Sequence, residues 1–242
     1  MKAMKAEELA LDRAPPTRSD TRRTLERWNR DPFAVLWPWV RGSLAVTALL
    51  LAAIWLVANL STPDPTGAGV PGVAFPARTS DFAFVLYRNG LVLALHALAC
   101  VAGFMAGSAL PTVATGYTGL WRRVHDRAGP LAIGFVVAAT LFSLCTQAYA
   151  LGHRAADLAG ELGMSPALLL VGLLPHAVPE LTALFLPLAA WTLASRRDAW
   201  EELLAATFVT VAVAAPVLLG AAAVETWVSP HLVAILSEAT AP

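Results

Sequence analysis

The residues best suited to chemistry lie inside an apolar tract, where His176 and Glu180 are four positions apart. In a helix these two side chains would share one face. Together with Glu225 they could bind a metal ion or pass protons. Pro175 and Pro179 are interleaved with them. Ionisable groups are costly inside a bilayer, so this stretch is the first candidate for a site.

Known patterns of catalytic residues are missing. A zinc site needs three or four ligands at recognisable spacing, and no HExxH motif occurs. Ser108 has no histidine placed to serve it as a base. The pair Glu201-Glu202 is followed by Ala206, where the EExxxR pattern of CAAX-type membrane proteases requires arginine. No phosphate loop or nucleotide fingerprint appears. We therefore predict no catalytic residue, metal or cofactor, with a metal-dependent intramembrane enzyme as a minor alternative.

Composition places these residues in a membrane protein. The 242-residue chain is 57% hydrophobic and only 14% charged, with a mean hydropathy of +0.61. Soluble domains carry about 25% charged residues. The formal net charge is zero, so charge predicts no nucleic-acid partner. The two cysteines, Cys100 and Cys145, suggest neither a disulfide nor a metal pair.

Several apolar runs are long enough to cross a bilayer, which needs about 20 residues as a helix. We predict an all-α transmembrane bundle with five spans, and no repeat or second soluble domain. The spans are expected at residues 42–60, 81–110, 129–151, 166–194 and 203–224. The membrane domain is therefore 42–242. Residues 1–41 form a basic tail whose aromatic-rich part, 20–39, either lies on the inner leaflet or is solvated.

The distribution of basic residues predicts the orientation. With the N-terminus inside, 14 of the 17 lysines and arginines fall in cytoplasmic segments. Cytoplasmic loops carry the excess of Lys and Arg in membrane proteins. We therefore expect a multi-pass protein of the cell membrane, with the N-terminus inside and the C-terminus outside.

The fourth tract, 166–194, is too long for a simple span. As a straight helix it would measure about 43 Å, against a hydrocarbon core of ~30 Å. Its first segment, 166–174, is too short to cross alone. We therefore predict a broken helix, with the break at Pro175 to Glu180 and the spanning helix starting near Pro179.

This topology places polar residues of three spans at a similar depth near the outer face. They are expected to form one cluster, with Arg88 compensating Glu180 or Glu225. The cluster comprises Arg88, Asn89, His176, Glu180 and Glu225. A structural role is the leading interpretation, and a chemical role is the alternative.

A GxxxG pattern, Gly103 to Gly107, occurs in the second span. Glycines at this spacing let two helices approach closely. The pattern therefore predicts helix packing, and it is a hint of a homo-oligomer.

Several of these motifs resemble the stage II sporulation protein M family. The sequence PHAVPEL at 175–181 is similar to the family's PHGxxEL signature, with alanine in place of the glycine. The resemblance extends over 81–230, because an Asn-containing segment, a Gly-rich stretch and an E-x-x-x-x-P ending occur in order at 88–90, 103–107 and 225–230.

The resemblance implies a polytopic inner-membrane protein without known catalytic activity. For sporulating bacteria, the resemblance implies a scaffold that recruits peptidoglycan hydrolases. The resemblance therefore implies that this protein is a scaffold or complex subunit in cell-envelope remodelling. The expected partners are the lipid bilayer and other membrane or envelope proteins, such as cell-wall hydrolases. The alternative is a permease-like subunit that works with a separate ATPase.

Overall fold

The computed structural model describes residues 18–64, 78–109 and 119–239, and every regular element in these ranges is helical. The all-α prediction is thus confirmed. The elements are α1 (Arg18–Trp28), α2 (Pro32–Leu60), α3 (Thr79–Phe104) with a π-helical turn (Met105–Ala109), α4 (Gly119–Glu161), α5 (Pro166–Arg197), a 3-10 turn (Trp200–Glu202), α6 (Leu203–Trp227) and α7 (Ser229–Glu238).

Five helices of the described chain, α2 to α6, are long and apolar enough to cross a membrane. The predicted number of spans is therefore confirmed. The orientation of the termini remains a prediction.

Some helix boundaries differ from those predicted. Helix α2 begins at Pro32, where the carboxylate of Asp31 accepts a hydrogen bond from Ala34 N at 3.1 Å. The predicted spans imply polar loops at 111–128 and 152–165. The second of these loops is predicted too long, because α4 continues to Glu161. In this part of α4, alanines are buried against α2. Tertiary packing of an apolar stripe stabilises a helix even where its other face is charged. The loop predicted at 111–128 is likewise too long, since α4 begins at Gly119.

The predicted break in the fourth tract is also wrong. Helix α5 runs without interruption from Pro166 to Arg197 and contains Pro175, Pro179 and Pro187 in its interior. In a bilayer an interrupted helix leaves several backbone groups without partners. An internal proline removes only one N–H donor. A continuous helix therefore leaves fewer backbone groups unpaired than a break at this position would.

Helix α5 is the centre of the bundle. It packs against α2, α3, α6 and α7, and eight consecutive or nearly consecutive residues of its second half, 183–187 and 189–191, are buried. The hydroxyl of Ser43 on α2 donates a hydrogen bond to the carbonyl of Thr182. Short connections on both sides of α5 make α4 and α6 run antiparallel to it. Gly163, with φ of 65°, lies in the α4–α5 turn, and Asp198, with φ of 55°, ends α5.

The two ends of the bundle differ in charge. One end, called the basic end, holds α1 and the α5–α6 connection with Arg196 and Arg197. There Arg27 forms an ion pair with Glu202, and the rings of Trp28 and Trp39 lie 5.3 Å apart. The opposite end, called the cavity end, holds the α4–α5 turn and the α6–α7 connection. α7 packs there against the first half of α5.

Candidate functional site

The structure brings the five residues of the predicted polar cluster together toward the cavity end. His176 and Glu180 are buried on α5, one turn apart. Asn89 is buried on α3, next to Arg88. Glu225 lies close to the end of α6. Their grouping results from the antiparallel packing of α3, α5 and α6, as the order of the spans predicts.

Arg88 and Glu225 form the ion pair of this cluster. Arg88 Nη2 lies 3.8 Å from Glu225 Oε1, which is long for a charge-assisted hydrogen bond. The side chain of Arg88 is 51% exposed, whereas that of Glu225 is 18% exposed. The arginine thus extends from the cluster toward the outside while it compensates the buried carboxylate.

Three polar atoms of the cluster lack a hydrogen bond within the described chain. The carboxyl group of Glu180 faces the carboxyl group of Glu225 and the side-chain amide of Asn89. Nevertheless, Asn89 Nδ2, Glu180 Oε2 and Glu225 Oε2 are buried without a partner of suitable geometry. An unsatisfied buried polar atom costs about 1–3 kcal/mol. The cluster is therefore not a closed hydrogen-bond network among the described residues.

His176 has a different partner, which sequence reasoning missed. Its Nδ1 lies 2.6 Å from the hydroxyl oxygen of Ser229, the first residue of α7. Ser229 falls within the E-x-x-x-x-P ending at 225–230, and that position is the only sequence signal that points to it. The contact joins α5 to the C-terminal helix.

A cavity of about 220 Å³ lies beside the cluster. Its walls come mainly from leucines and other apolar residues of α2, α4, α5 and α7. Its polar lining consists of Arg88, Arg154, His176, Glu180, Glu225 and Ser229. A larger cavity of about 500 Å³ at the basic end contains none of these residues. Among the described residues, no group of three His, Cys, Asp or Glu side chains is arranged to hold a metal ion.

The glycines Gly103 and Gly107 lie against two tryptophans. A Cβ atom at Gly103 would collide with the indole of Trp191 and approach Leu203 Cδ1 to 2.9 Å. A Cβ atom at Gly107 would collide with the ring of Trp200. These two glycines therefore allow aromatic rings of the same chain to pack closely against α3. The expected self-association remains a prediction.

Two further polar side chains in the spans, those of His96 and Cys100, have partners within the bundle. His96 Nδ1 lies 2.8 Å from the carbonyl oxygen of Leu184, and the thiol of Cys100 donates to the carbonyl of Pro187 at 3.1 Å. Cys145 is exposed on α4, and both thiols are free. The prolines Pro175 and Pro179, predicted to mark a helix break, lie inside α5 on either side of His176.

Five apolar helices around a buried charged cluster define a multi-pass helical membrane protein. Residues 127–230 match the family model of stage II sporulation protein M. Over these residues the chain is similar to that family, which confirms the resemblance inferred from its motifs. The match includes His176, Glu180 and Glu225, whereas Arg88 and Asn89 precede it. Comparison with curated proteins and with solved structures gave no match.

Proposed function

We propose that this SpoIIM-like protein is a non-enzymatic scaffold or complex subunit that acts in cell-envelope remodelling in the cell membrane. The observation that carries the proposal is the exposure of α4. In the most apolar 18-residue stretch of α4, only 6% of the residues are buried, whereas the corresponding share in the other four spans is 28–33%. The chain thus leaves this apolar stretch of α4 almost uncovered, as expected for a surface that packs against another protein.

The exposed surface of α4 has the pattern of a helix-packing face. Phe135, Phe142 and Tyr149 recur every seven residues, and all three side chains are exposed. Residues seven apart lie on the same side of a helix, and this spacing is typical of a seam between two helices. Two small residues, Ala138 and Ala139, lie between the first two rings and are also exposed. A partner helix could therefore approach closely between the rings.

Polar side chains on α4 also favour a protein partner over lipid. Gln147 Nε2 donates to the hydroxyl of Ser143 at 2.9 Å, and Thr146 donates to the carbonyl of Phe142 at 2.8 Å. Both hydrogen bonds lie within α4 itself. The side-chain oxygen of Gln147 therefore stays available to accept a hydrogen bond from a neighbouring helix. Polar groups that hydrogen-bond across helices stabilise association in membranes by about 1 kcal/mol each.

Photo-crosslinking in growing cells tests this proposal. A benzophenone amino acid replaces Phe142, which is 74% exposed on α4. The matched control replaces Phe208, which is 64% exposed on α6. We expect the Phe142 position to yield a protein adduct that mass spectrometry identifies as an envelope protein such as a cell-wall hydrolase. Adducts with lipid only at both positions would contradict the proposal.

The alternative function, a permease-like subunit with a separate ATPase, is favoured by the cavity beside α5. This cavity reaches His176 and Glu180 in the interior of a span. Charged residues in spans frequently line substrate paths. In the same crosslinking experiment, an adduct with an ATPase would support this alternative and count against the scaffold.

A further inference from the structure

We propose that the cavity beside α5 binds the headgroup of an aminophospholipid, a membrane lipid that carries both a phosphate diester and a primary ammonium group. The proposal rests on the lining of this cavity and is independent of the scaffold function. Its chemical basis is the combination of apolar walls, two carboxyl groups and two guanidinium groups that line one cavity.

The size and walls of the cavity suit the head of an amphipathic molecule. Liquid water occupies about 30 Å³ per molecule, so 220 Å³ corresponds to about seven waters or one small polar headgroup. Two acyl chains would not fit inside. Seven of the 18 lining residues are leucines from α2, α4 and α5, and this apolar surface can contact the part of the lipid next to its headgroup.

The buried carboxylates define the cationic part of the ligand. Glu180 is only 8% exposed, lines the cavity, and has one oxygen without a hydrogen bond in the described chain. Glu225 adds a second oxygen of this kind. A primary ammonium group offers three N–H donors and a positive charge. It can therefore hydrogen-bond to both carboxyl groups that line the cavity.

The two arginines define the anionic part. Arg154 lines the same cavity, and its guanidinium has no acidic side chain within ion-pair distance among the residues described. Arg88 is only loosely engaged, at 3.8 Å from Glu225, and is half-exposed. Guanidinium groups bind phosphate oxygens in bidentate geometry. A purely anionic lipid would leave Glu180 unsatisfied, and a bare metal cation would be repelled by both arginines.

The depth of the cavity is appropriate for a headgroup. Glu225 lies near the last residue of α6, Trp227, whose ring stacks on that of Phe82 at the start of α3, with centroids 5.1 Å apart. Tryptophans mark the boundary between headgroups and hydrocarbon. The charged lining of the cavity is thus near one surface of the bilayer, within reach of a lipid of that leaflet.

Native mass spectrometry of the full-length chain tests the proposal. The delipidated protein is titrated with phosphatidylethanolamine, its N-monomethyl and N,N-dimethyl derivatives, phosphatidylcholine and phosphatidylglycerol. Each methyl group removes one N–H donor, and phosphatidylglycerol lacks the ammonium altogether. We expect retention to fall along the methylation series and to be weakest for the two lipids without N–H donors. Equal retention of all five lipids would overturn the proposal.

Variants then locate the site. Glu180→Gln should lower the affinity for phosphatidylethanolamine by about tenfold or more, because a charge-assisted hydrogen bond is lost. Arg154→Gln should weaken all phosphate-bearing lipids. The matched controls, Glu201→Gln and Arg196→Gln, lie at the basic end and should change nothing. An unchanged preference in Glu180→Gln would overturn the assignment. The methylation series uses the native chain and remains decisive if that variant does not fold.

Discussion

His176 Nδ1 lies 2.6 Å from the hydroxyl oxygen of Ser229, and this single buried contact joins the interior of α5 to the first residue of α7. It gives the signature histidine of the SpoIIM-like motif a defined structural partner within the motif's own C-terminal ending. The histidine is thus engaged in holding the C-terminal helix, while Glu180, one turn further on, lines the cavity and has one buried oxygen without a hydrogen bond in the described chain.

Replacing Ser229 by alanine should destabilise the protein. The buried His176 nitrogen would lose its partner, which costs about 1–3 kcal/mol. The measurement is thermal unfolding in detergent, and a lower midpoint is expected. Ser195→Ala is the matched control, because the Ser195 hydroxyl donates to the carbonyl of Thr192 within its own helix, α5. Equal midpoints for the two variants would show that the His176–Ser229 contact contributes nothing.

In a double-mutant cycle, replacing Arg88 should destabilise the protein more than replacing Glu225. Arg88→Gln leaves two acids, Glu180 and Glu225, without compensation and should cost about 1–2 kcal/mol, less than for a fully buried pair because Arg88 is half-exposed. Glu225→Gln removes one of two facing carboxyl groups and should cost less. Combining both changes should recover part of the loss. Strictly additive effects in chemical denaturation would contradict this coupling.

Gly103→Ala and Gly107→Ala should each lower stability by about 1–3 kcal/mol, because the added methyl groups would collide with the rings of Trp191 and Trp200. The control is Gly220→Ala, where a Cβ atom meets nothing within 4 Å. Alanine is the better helix former, so this control should be neutral or slightly stabilising. Unfolding midpoints of the three variants provide the comparison, and a stable Gly103→Ala protein would speak against the packing.

Cysteine labelling of intact cells should reveal the orientation of the chain. In a Cys145→Ser background, which removes the exposed native thiol, Glu238→Cys at the end of α7 should react with a membrane-impermeant reagent. Arg196→Cys at the basic end should react only after permeabilisation, because basic segments remain cytoplasmic. The reverse pattern would place the N-terminus outside.

The spans and the family resemblance were accessible from the sequence because each depends on local information. A run of about 20 apolar residues is enough to indicate a membrane helix. The order of the spans also grouped Arg88 with Glu180 and Glu225, since antiparallel helices return side chains to a common depth. The ends of the helices could be predicted less well from the sequence. Residues 152–161 are polar in sequence but helical, because their alanines pack against α2.

By itself the sequence determined a five-span helical membrane protein and the residue types that a charged cluster within it would contain. Only the tertiary structure decided that α5 is continuous through Pro175 and Pro179, because the need to pair backbone groups in a bilayer outweighs the local effect of proline. It also decided that His176 bonds to Ser229 while Glu180 retains an unsatisfied oxygen beside a cavity. Such contacts depend on where distant helices meet, which no local pattern encodes.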